Sequence, residues 1–220
     1  MKTNIKFSII CCSHNEEILN NNLLRSANLD DHELLIYNDC SNVPRAYNEA
    51  HSDASGDFLM FVHHDVFLPD NFFINLEKNI QLIQNENWGV LGPAGTTNRN
   101  TLAGNVSDRG REWPYATGRS TWHSRNKPTE VQTLDELLLI KRNDDFRFDE
   151  KIPSSHHLFA SDICLQYAKK SYKNYSLPAY CEHNSGLGKG VPDDWYTSAD
   201  YIKLKWKDML PIYTTSGGMH

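Results

Sequence analysis

No apolar run in this 220-residue chain approaches the length that a bilayer span requires. Positive charge is also short: 22 Lys and Arg stand against 28 Asp and Glu, a formal net charge of -6, which excludes a broad nucleic-acid-binding face. It leaves room for one basic pocket around a phosphorylated ligand. Cysteine is scarce and odd in number, five residues with no CxxC pair, so neither a disulfide framework nor a cysteine zinc site is indicated. Cys11 and Cys12 lie in a strand-like run, where cysteine acts as a small hydrophobe. No GxGxxG follows the first apolar run, which argues against a dinucleotide dehydrogenase, and no GxSxG elbow suggests an α/β-hydrolase. Gly186-Leu187-Gly188-Lys189-Gly190 lacks the spacing and Lys-Ser/Thr ending of a Walker A loop. Repeats, low-complexity runs and linkers are missing too, and residues 1–220 read as one domain.

What is present alternates. Phe7-Ser8-Ile9-Ile10-Cys11-Cys12 reads as a buried strand, followed by the polar turn Ser13-His14-Asn15-Glu16-Glu17 and the helical stripe Ile18, Leu19, Leu23, Leu24. Ser13 or Asn15 would cap that helix, with Glu16 and Glu17 favoured in its first turn. Glu33-Leu34-Leu35-Ile36-Tyr37 is a second strand, and a short helix opening at Pro44 leads past Gly56 to a third, Phe58-Leu59-Met60-Phe61-Val62. A helix after Pro69, a strand at Trp88-Gly89-Val90-Leu91-Gly92, a strand at Leu137-Leu138-Leu139-Ile140 and a helix from Ser161 or Asp162 follow. An edge strand is expected from Tyr175 to Cys181, because Pro178 cannot donate to a ladder, and a C-terminal helix over about 195–209. Such alternation predicts an α/β fold with a mixed, mostly parallel central sheet flanked by helices.

Each of the first three strands ends in polar residues: Ser13-His14-Asn15, Asn38-Asp39, and His63-His64-Asp65. In a parallel sheet those ends share one edge, where ligands bind. Asp65 there either caps a turn or reaches a metal or a phosphate. Between about 93 and 130 the periodic pattern is lost. That irregular, acceptor-side segment carries Arg99, Arg109, Arg111, Arg119 and Arg125 with Trp113, Tyr115 and Trp122, and reads either as a lid over an anionic or sugar-bearing ligand or as a solvated loop.

Taken in order, these pieces resemble the GT-A fold glycosyltransferases, in particular the family 2-like inverting enzymes of bacteria. The pieces are Ser8 through Glu16, Ile36-Tyr37-Asn38-Asp39-Cys40-Ser41, Arg45-Ala46-Tyr47-Asn48-Glu49-Ala50, Gly56 through Val66, Phe148-Asp149-Glu150, Ser161-Asp162-Ile163-Cys164-Leu165 and His183-Asn184-Ser185-Gly186. The resemblance implies a nucleotide-sugar-binding, GT-A (Rossmann-like) domain. Its base and ribose would be held by Ser13, Asn15, Glu16 and Asp39, with Arg45, Asn48 and His64 near the nucleotide or its phosphates. His63-His64-Asp65 takes the place of the family's Asp-x-Asp, with His63 where the first carboxylate would stand. Gly92 and Pro93, with Ala94, would line the sugar pocket through their backbone. Asp135 would bind the sugar or acceptor, and Lys189 would close on the diphosphate.

Breaking a glycosyl-phosphate bond leaves charge on a diphosphate, which a divalent ion offsets. Asp65 and His183 are the expected ligands, for Mn²⁺ or Mg²⁺, although a histidine in a polar loop is also an ordinary surface residue. Inversion needs a base for the acceptor hydroxyl. Asp162 matches the family's position for it, with helix capping as its ordinary alternative and Asp149 and Glu150 in reserve. The partners that the resemblance implies are a nucleotide-sugar donor, expected to be UDP-linked, and a glycan or lipid-linked acceptor; no nucleic acid is expected. The polar start of the chain leads to the expectation of a cytoplasmic protein, placed at the inner face of a membrane only through partners. The rival expectation is a binding or assembly module that has lost turnover with the first Asp.

Overall fold

Seven strands form the central sheet of the computed structural model, which describes residues 5–38, 40–108, 111–113, 121–123, 126–185 and 191–220. They are β1 (Phe7–Ser13), β2 (Glu33–Asn38), β3 (Phe58–Val62), β4 (Trp88–Gly92), β5 (Thr129–Val131), β6 (Leu138–Arg142) and β7 (Lys173–Ser176). Their order across the sheet is β5-β7-β4-β6-β3-β1-β2. β1 pairs in parallel with β2 and β3, and β7 with β4; β6 runs against β3 and β4, and β5 against β7. The mixed, mostly parallel sheet flanked by helices is therefore the observed architecture.

The continuous apolar runs follow from burial of both sheet faces. Phe7, Ile9 and Cys11 of β1, Met60 and Val62 of β3, and Leu138 and Ile140 of β6 enter one core. Their neighbours Ile10, Leu59, Phe61 and Leu139 enter the other. The first core is closed by α1 (Glu16–Asn21), through Leu19, and by α3 (Phe72–Leu82), through Phe72, Phe73, Leu76 and Ile80. The second is closed by α2 (Val43–Asp53), α4 (Phe159–Lys169) and α5 (Asp193–Lys205), which contribute Tyr47, Phe159, Ile163, Trp195 and Ile202. Helix starts are set locally. The Asn15 side chain accepts from Ile18 N at 3.0 Å and the Asn42 side chain from Arg45 N at 2.9 Å, with Pro44 in the first turn of α2.

Three expectations are corrected here. The segment 93–130 is not irregular throughout: Ala94–Thr96, Leu102–Gly104 and Thr121–His123 join Thr133–Leu134 in one four-stranded sheet. Val106–Asp108 and Arg111–Trp113 join Val66–Phe67 and Cys181–His183 in another. Strands of three residues are too short to leave a period-two pattern. The expected edge strand from 175 to 181 is two elements. β7 lies inside the central sheet between β4 and β5, the chain breaks at Pro178, and Cys181–His183 enters the second four-stranded sheet. The C-terminal helix stops at Lys205; a 3₁₀ turn, Lys207–Met209, and a hairpin of Ile212–Tyr213 with Gly218–Met219 follow.

Gly92, expected in a sugar pocket, is buried in β4, where a Cβ would lie 2.7 Å from the Leu138 carbonyl oxygen. Backbone cannot yield as a side-chain tip can. Gly92→Ala should therefore cost about 1–3 kcal/mol, read as a lower urea midpoint with an unchanged slope.

Candidate active site

β2, β1 and β3 are neighbours and parallel, so their carboxyl ends meet on one edge. A cavity of about 410 Å³ opens there, walled by Ser13 and His14 after β1, His63, His64 and Asp65 after β3, and by Asp135, Glu136, His156, His157 and His183 from later segments. A second cavity of about 500 Å³ shares Ser13 and His14 and continues along Asn15, Glu16, Ile36 and Asn38. Ser13 Oγ lies 3.0 Å from His64 Nδ1, and the His14 and His64 rings are 4.5 Å apart, so the loop after β1 is tied to the loop after β3. The expected Ser13, Asn15, Glu16 and His64 thus share one contiguous wall, although Asn15 also spends its side chain on capping α1.

The turn after β3 is held by its backbone: His63 N donates to Leu137 O at 3.0 Å, and Val66 N to His63 O at 3.3 Å. Strand Val66–Phe67 then pairs antiparallel with Cys181–His183, His183 opposite Val66, and Asn184 N donates to Asp65 O at 2.8 Å. That register sets residue 183 beside residue 65. Asp65 Oδ1 lies 3.4 Å from His183 Nε2 and 4.0 Å from His63 Nδ1. The same oxygen is buried and forms no hydrogen bond of good geometry among the described residues. One ligand atom from each of His63, Asp65 and His183 lies within 4.8 Å of the other two, a grouping able to hold a metal ion. Burial pushes the Asp65 carboxyl up, but the imidazole of His183, and then those of His63 and His64, outweigh it and hold the group at about 2. Burial, reinforced by His183 and opposed by Asp65, lowers His63 to about 4. At neutral pH the set is one carboxylate beside a neutral imidazole, the protonation states in which both bind metal.

Two further carboxyls line the same cavity. Asp135 is fixed by Thr215, whose hydroxyl donates to Oδ2 at 2.6 Å, and by Leu137 N, which donates to Oδ1 at 3.1 Å. Glu136 Oε1 accepts from Leu158 N at 2.7 Å. Leu158 is buried with φ of 68°, a left-handed conformation that costs a leucine about 1–3 kcal/mol and that here aims its N–H at the carboxyl. Burial, and after it the charge of Asp135, raises Glu136 to about 8.

Several expected site residues are employed elsewhere. Asp162 is fully buried on α4, and its oxygens take Trp206 Nε1 and Lys205 Nζ, each at 2.7 Å, and Gln166 Nε2 at 2.8 Å. It docks α4 against the end of α5 and does not face the cavity. Arg45 and Asn48 reach Glu150 at 3.2 and 2.9 Å, and Asn48 also holds both backbone groups of Phe148, so they fasten the 148–150 segment to α2. Asp149 is bound by Tyr201 and Lys205. Gly92 and Pro93 are buried at the end of β4 and are not among the residues that line these two cavities. Asp39 and Lys189 lie outside the described residues, as does much of the expected lid. Six residues had gone unassigned: His63, set aside as a lost carboxylate; Glu136, next to Asp135; the pair His156 and His157; and the C-terminal Thr215 and Ser216. Only the adjacency of Asp135-Glu136 was a usable signal.

The family described as a glycosyltransferase-like family matches residues 8–186. Among solved structures, residues 1–349 of TarS from S. aureus in complex with UDP-GlcNAc are similar at 17% identity and a TM-score of 0.56, over 91% of this chain and 66% of that one. A mannosyltransferase from Pyrobaculum calidifontis in complex with GDP-Man and Mn²⁺ is similar at 10% identity and a TM-score of 0.54, over 85% and 59%. A Fuscovulum blasticum protein named ATP synthase subunits region ORF 6 is 25% identical over 141 residues, 63% of this chain and 55% of its own length. The chain thus spans between about half and two thirds of these relatives.

The raised Glu136 gives a stability signature. Its folded value of about 8 exceeds the ordinary 4.5, so the native state holds this proton more tightly than the unfolded chain. Stability from this group is present below about 4.5 and is lost as pH rises through about 8. Glu136→Gln should flatten that slope in a melting-temperature series from pH 5 to 9; an unchanged slope would show that the proton is held elsewhere.

Proposed function

Because the chain belongs to the glycosyltransferase-like family that matches it from residue 8 to residue 186, we propose that it moves a sugar from a nucleotide-diphosphate sugar, UDP-linked, to a hydroxyl of a glycan or lipid-linked acceptor, with inversion. The observation that carries this reading is the buried Asp65 oxygen, which has no hydrogen bond of good geometry among the described residues, within reach of two imidazoles at the carboxyl edge of β3 in a cavity that a carboxyl pair also lines. The TarS and mannosyltransferase structures, with UDP-GlcNAc in one and GDP-Man with Mn²⁺ in the other, agree with the donor class and with a divalent metal.

Asp65 and His183 would hold that metal. When bound, a divalent ion supplies charge compensation for the departing diphosphate. The nucleotide would lie along Ser13, Asn15 and Glu16, in the cavity that runs toward Asn38 and the start of the Asp39 loop. Ser13 and His64, already joined, would border the diphosphate, and Lys189 belongs to the same proposal as a closing residue. Asp135, held by Thr215, would orient the acceptor hydroxyl.

The base assigned by resemblance to Asp162 passes to Glu136, because Asp162 is consumed by Trp206 and Lys205. Glu136 is raised to about 8, which makes it a stronger proton acceptor than an ordinary carboxylate and matches it to operation near neutrality. The acceptor oxygen bonds to the anomeric carbon as the bond from that carbon to phosphate oxygen breaks. The hydroxyl proton goes to Glu136, and the bonding electron pair leaves with the nucleoside diphosphate. Attack opposite the leaving group inverts the centre. No helix among the described residues is long and apolar enough to cross a membrane, so a lipid-linked acceptor would be met at the surface.

Release of UDP from a panel of UDP-sugars with Mn²⁺ present tests the reading. Asp65→Ala should abolish release. Glu136→Gln should slow it about 10²–10⁴-fold while donor binding persists, and should remove a rise of rate with pH toward 8. Asp162→Asn should lower the melting temperature but keep that pH profile. Donor binding with no release in any metal would instead favour the non-catalytic module.

A further inference from the structure

The proposed function asks for a divalent ion but does not choose one, and the residue in the Asp-x-Asp place that was counted as lost bears on the choice. His63 reaches the site with Nδ1, 4.0 Å from the same Asp65 oxygen that His183 Nε2 approaches at 3.4 Å. The two imidazole rings are 5.9 Å apart and inclined by 54°, so they are tilted rather than stacked on each other. Neither position is accidental to a floppy loop: His63 N is tied to Leu137 O, and His183 is fixed by its pairing with Val66. The side chains retain 33% exposure at His63, 18% at His183 and 16% at Asp65, so the group borders the cavity instead of being sealed. That leaves coordination positions open toward a ligand, as in catalytic rather than structural sites.

We propose that His63 is a third metal ligand, and that the resulting two-imidazole, one-carboxylate set makes this site selective for a transition-metal dication of the Mn²⁺ or Co²⁺ kind over Mg²⁺. The inference rests on the reading that Asp65 and His183 hold a divalent metal. Mg²⁺ is small and hard, takes oxygen ligands and gives up its water reluctantly, whereas imidazole nitrogen suits the later first-row ions. Replacing a carboxylate by His63 exchanges an oxygen for a nitrogen and removes one negative charge, both of which weaken Mg²⁺ binding more than transition-metal binding. Two ligand atoms of one ion bound at about 2.1–2.2 Å stand at most about 4.4 Å apart, so atoms already within 4.8 Å need only a small contraction.

The test is calorimetric titration of the full chain, stripped with a chelator, with MnCl₂, CoCl₂ and MgCl₂ separately, together with the visible spectrum of the Co²⁺ form. The expected result is a Kd for Mn²⁺ and Co²⁺ at least about 100-fold below that for Mg²⁺, a loss of about tenfold or more in Mn²⁺ affinity in His63→Ala, and a changed Co²⁺ spectrum in that variant. His63→Asp, which restores an oxygen donor and a charge, should narrow the Mn²⁺ to Mg²⁺ ratio by raising Mg²⁺ affinity; its melting temperature in the absence of metal checks that it folds. Equal affinity for Mg²⁺ and Mn²⁺, or His63→Ala with unaltered affinity and Co²⁺ spectrum while Asp65→Ala loses binding, overturns the inference and leaves the Asp65–His183 metal reading standing. No binding of any of the three ions overturns both.

Discussion

A carboxylate oxygen removed from water without a hydrogen bond costs about 1–3 kcal/mol, more when it carries charge. Asp65 Oδ1 is such an atom, and the arrangement around it explains much of the architecture. β3 delivers residues 63–65 to the sheet edge, a turn bonded to Leu137 keeps them there, and the short strand Val66–Phe67 recruits Cys181–His183 from the far end of the chain. A one-residue slip in that pairing would send the imidazole of His183 to the opposite face. The second four-stranded sheet is therefore a device for holding residue 183 against residue 65. The metal ion proposed for this site would offset that polar cost.

The central sheet supplies the rigidity that such a placement needs. Both faces of β1, β3 and β6 are buried, one under α1 and α3 and the other under α2, α4 and α5. The loops that wall the cavity thus rise from strands that cannot shift without disturbing two cores. The Asp162, Lys205 and Trp206 contact serves the same end by locking α4 to the end of α5 ahead of the C-terminal hairpin. Beyond that hairpin's first strand lies Thr215, which fixes Asp135. The last residues of the chain, well outside the span matched by the family, thereby complete the wall of the cavity.

The legible part of this protein was the part dictated locally. Phe7 to Cys12 and Phe58 to Val62 are unbroken apolar runs because both sides of those strands are covered, and Asn15, Asn42 and Pro44 mark helix starts by groups within a few residues of each other. Three-residue strands between 94 and 134 left no such trace, since each is too short to show a period-two pattern. Asp162 illustrates the same divide in the site. Its position at a helix start agreed with a base, but direction depends on which side of the helix meets α5, and Trp206 and Lys205 settle that. His63 errs in the opposite sense: counted as a missing carboxylate, it stands beside Asp65 and His183 with a nitrogen in reach.

By itself the chain's order of residues determined the alternation of strands and helices, the two-sided burial of the sheet and the gathering of polar residues after β1, β2 and β3, because apolar periodicity and capping act over a few residues. Only the tertiary structure decided which titratable groups meet: His183 with Asp65 by strand register, Glu136 with Leu158 by a left-handed turn, and Asp162 with Lys205 rather than with the cavity. Those pairings join positions from 22 to more than 100 residues apart in sequence, and the packing of whole elements, not local preference, sets the distance between them.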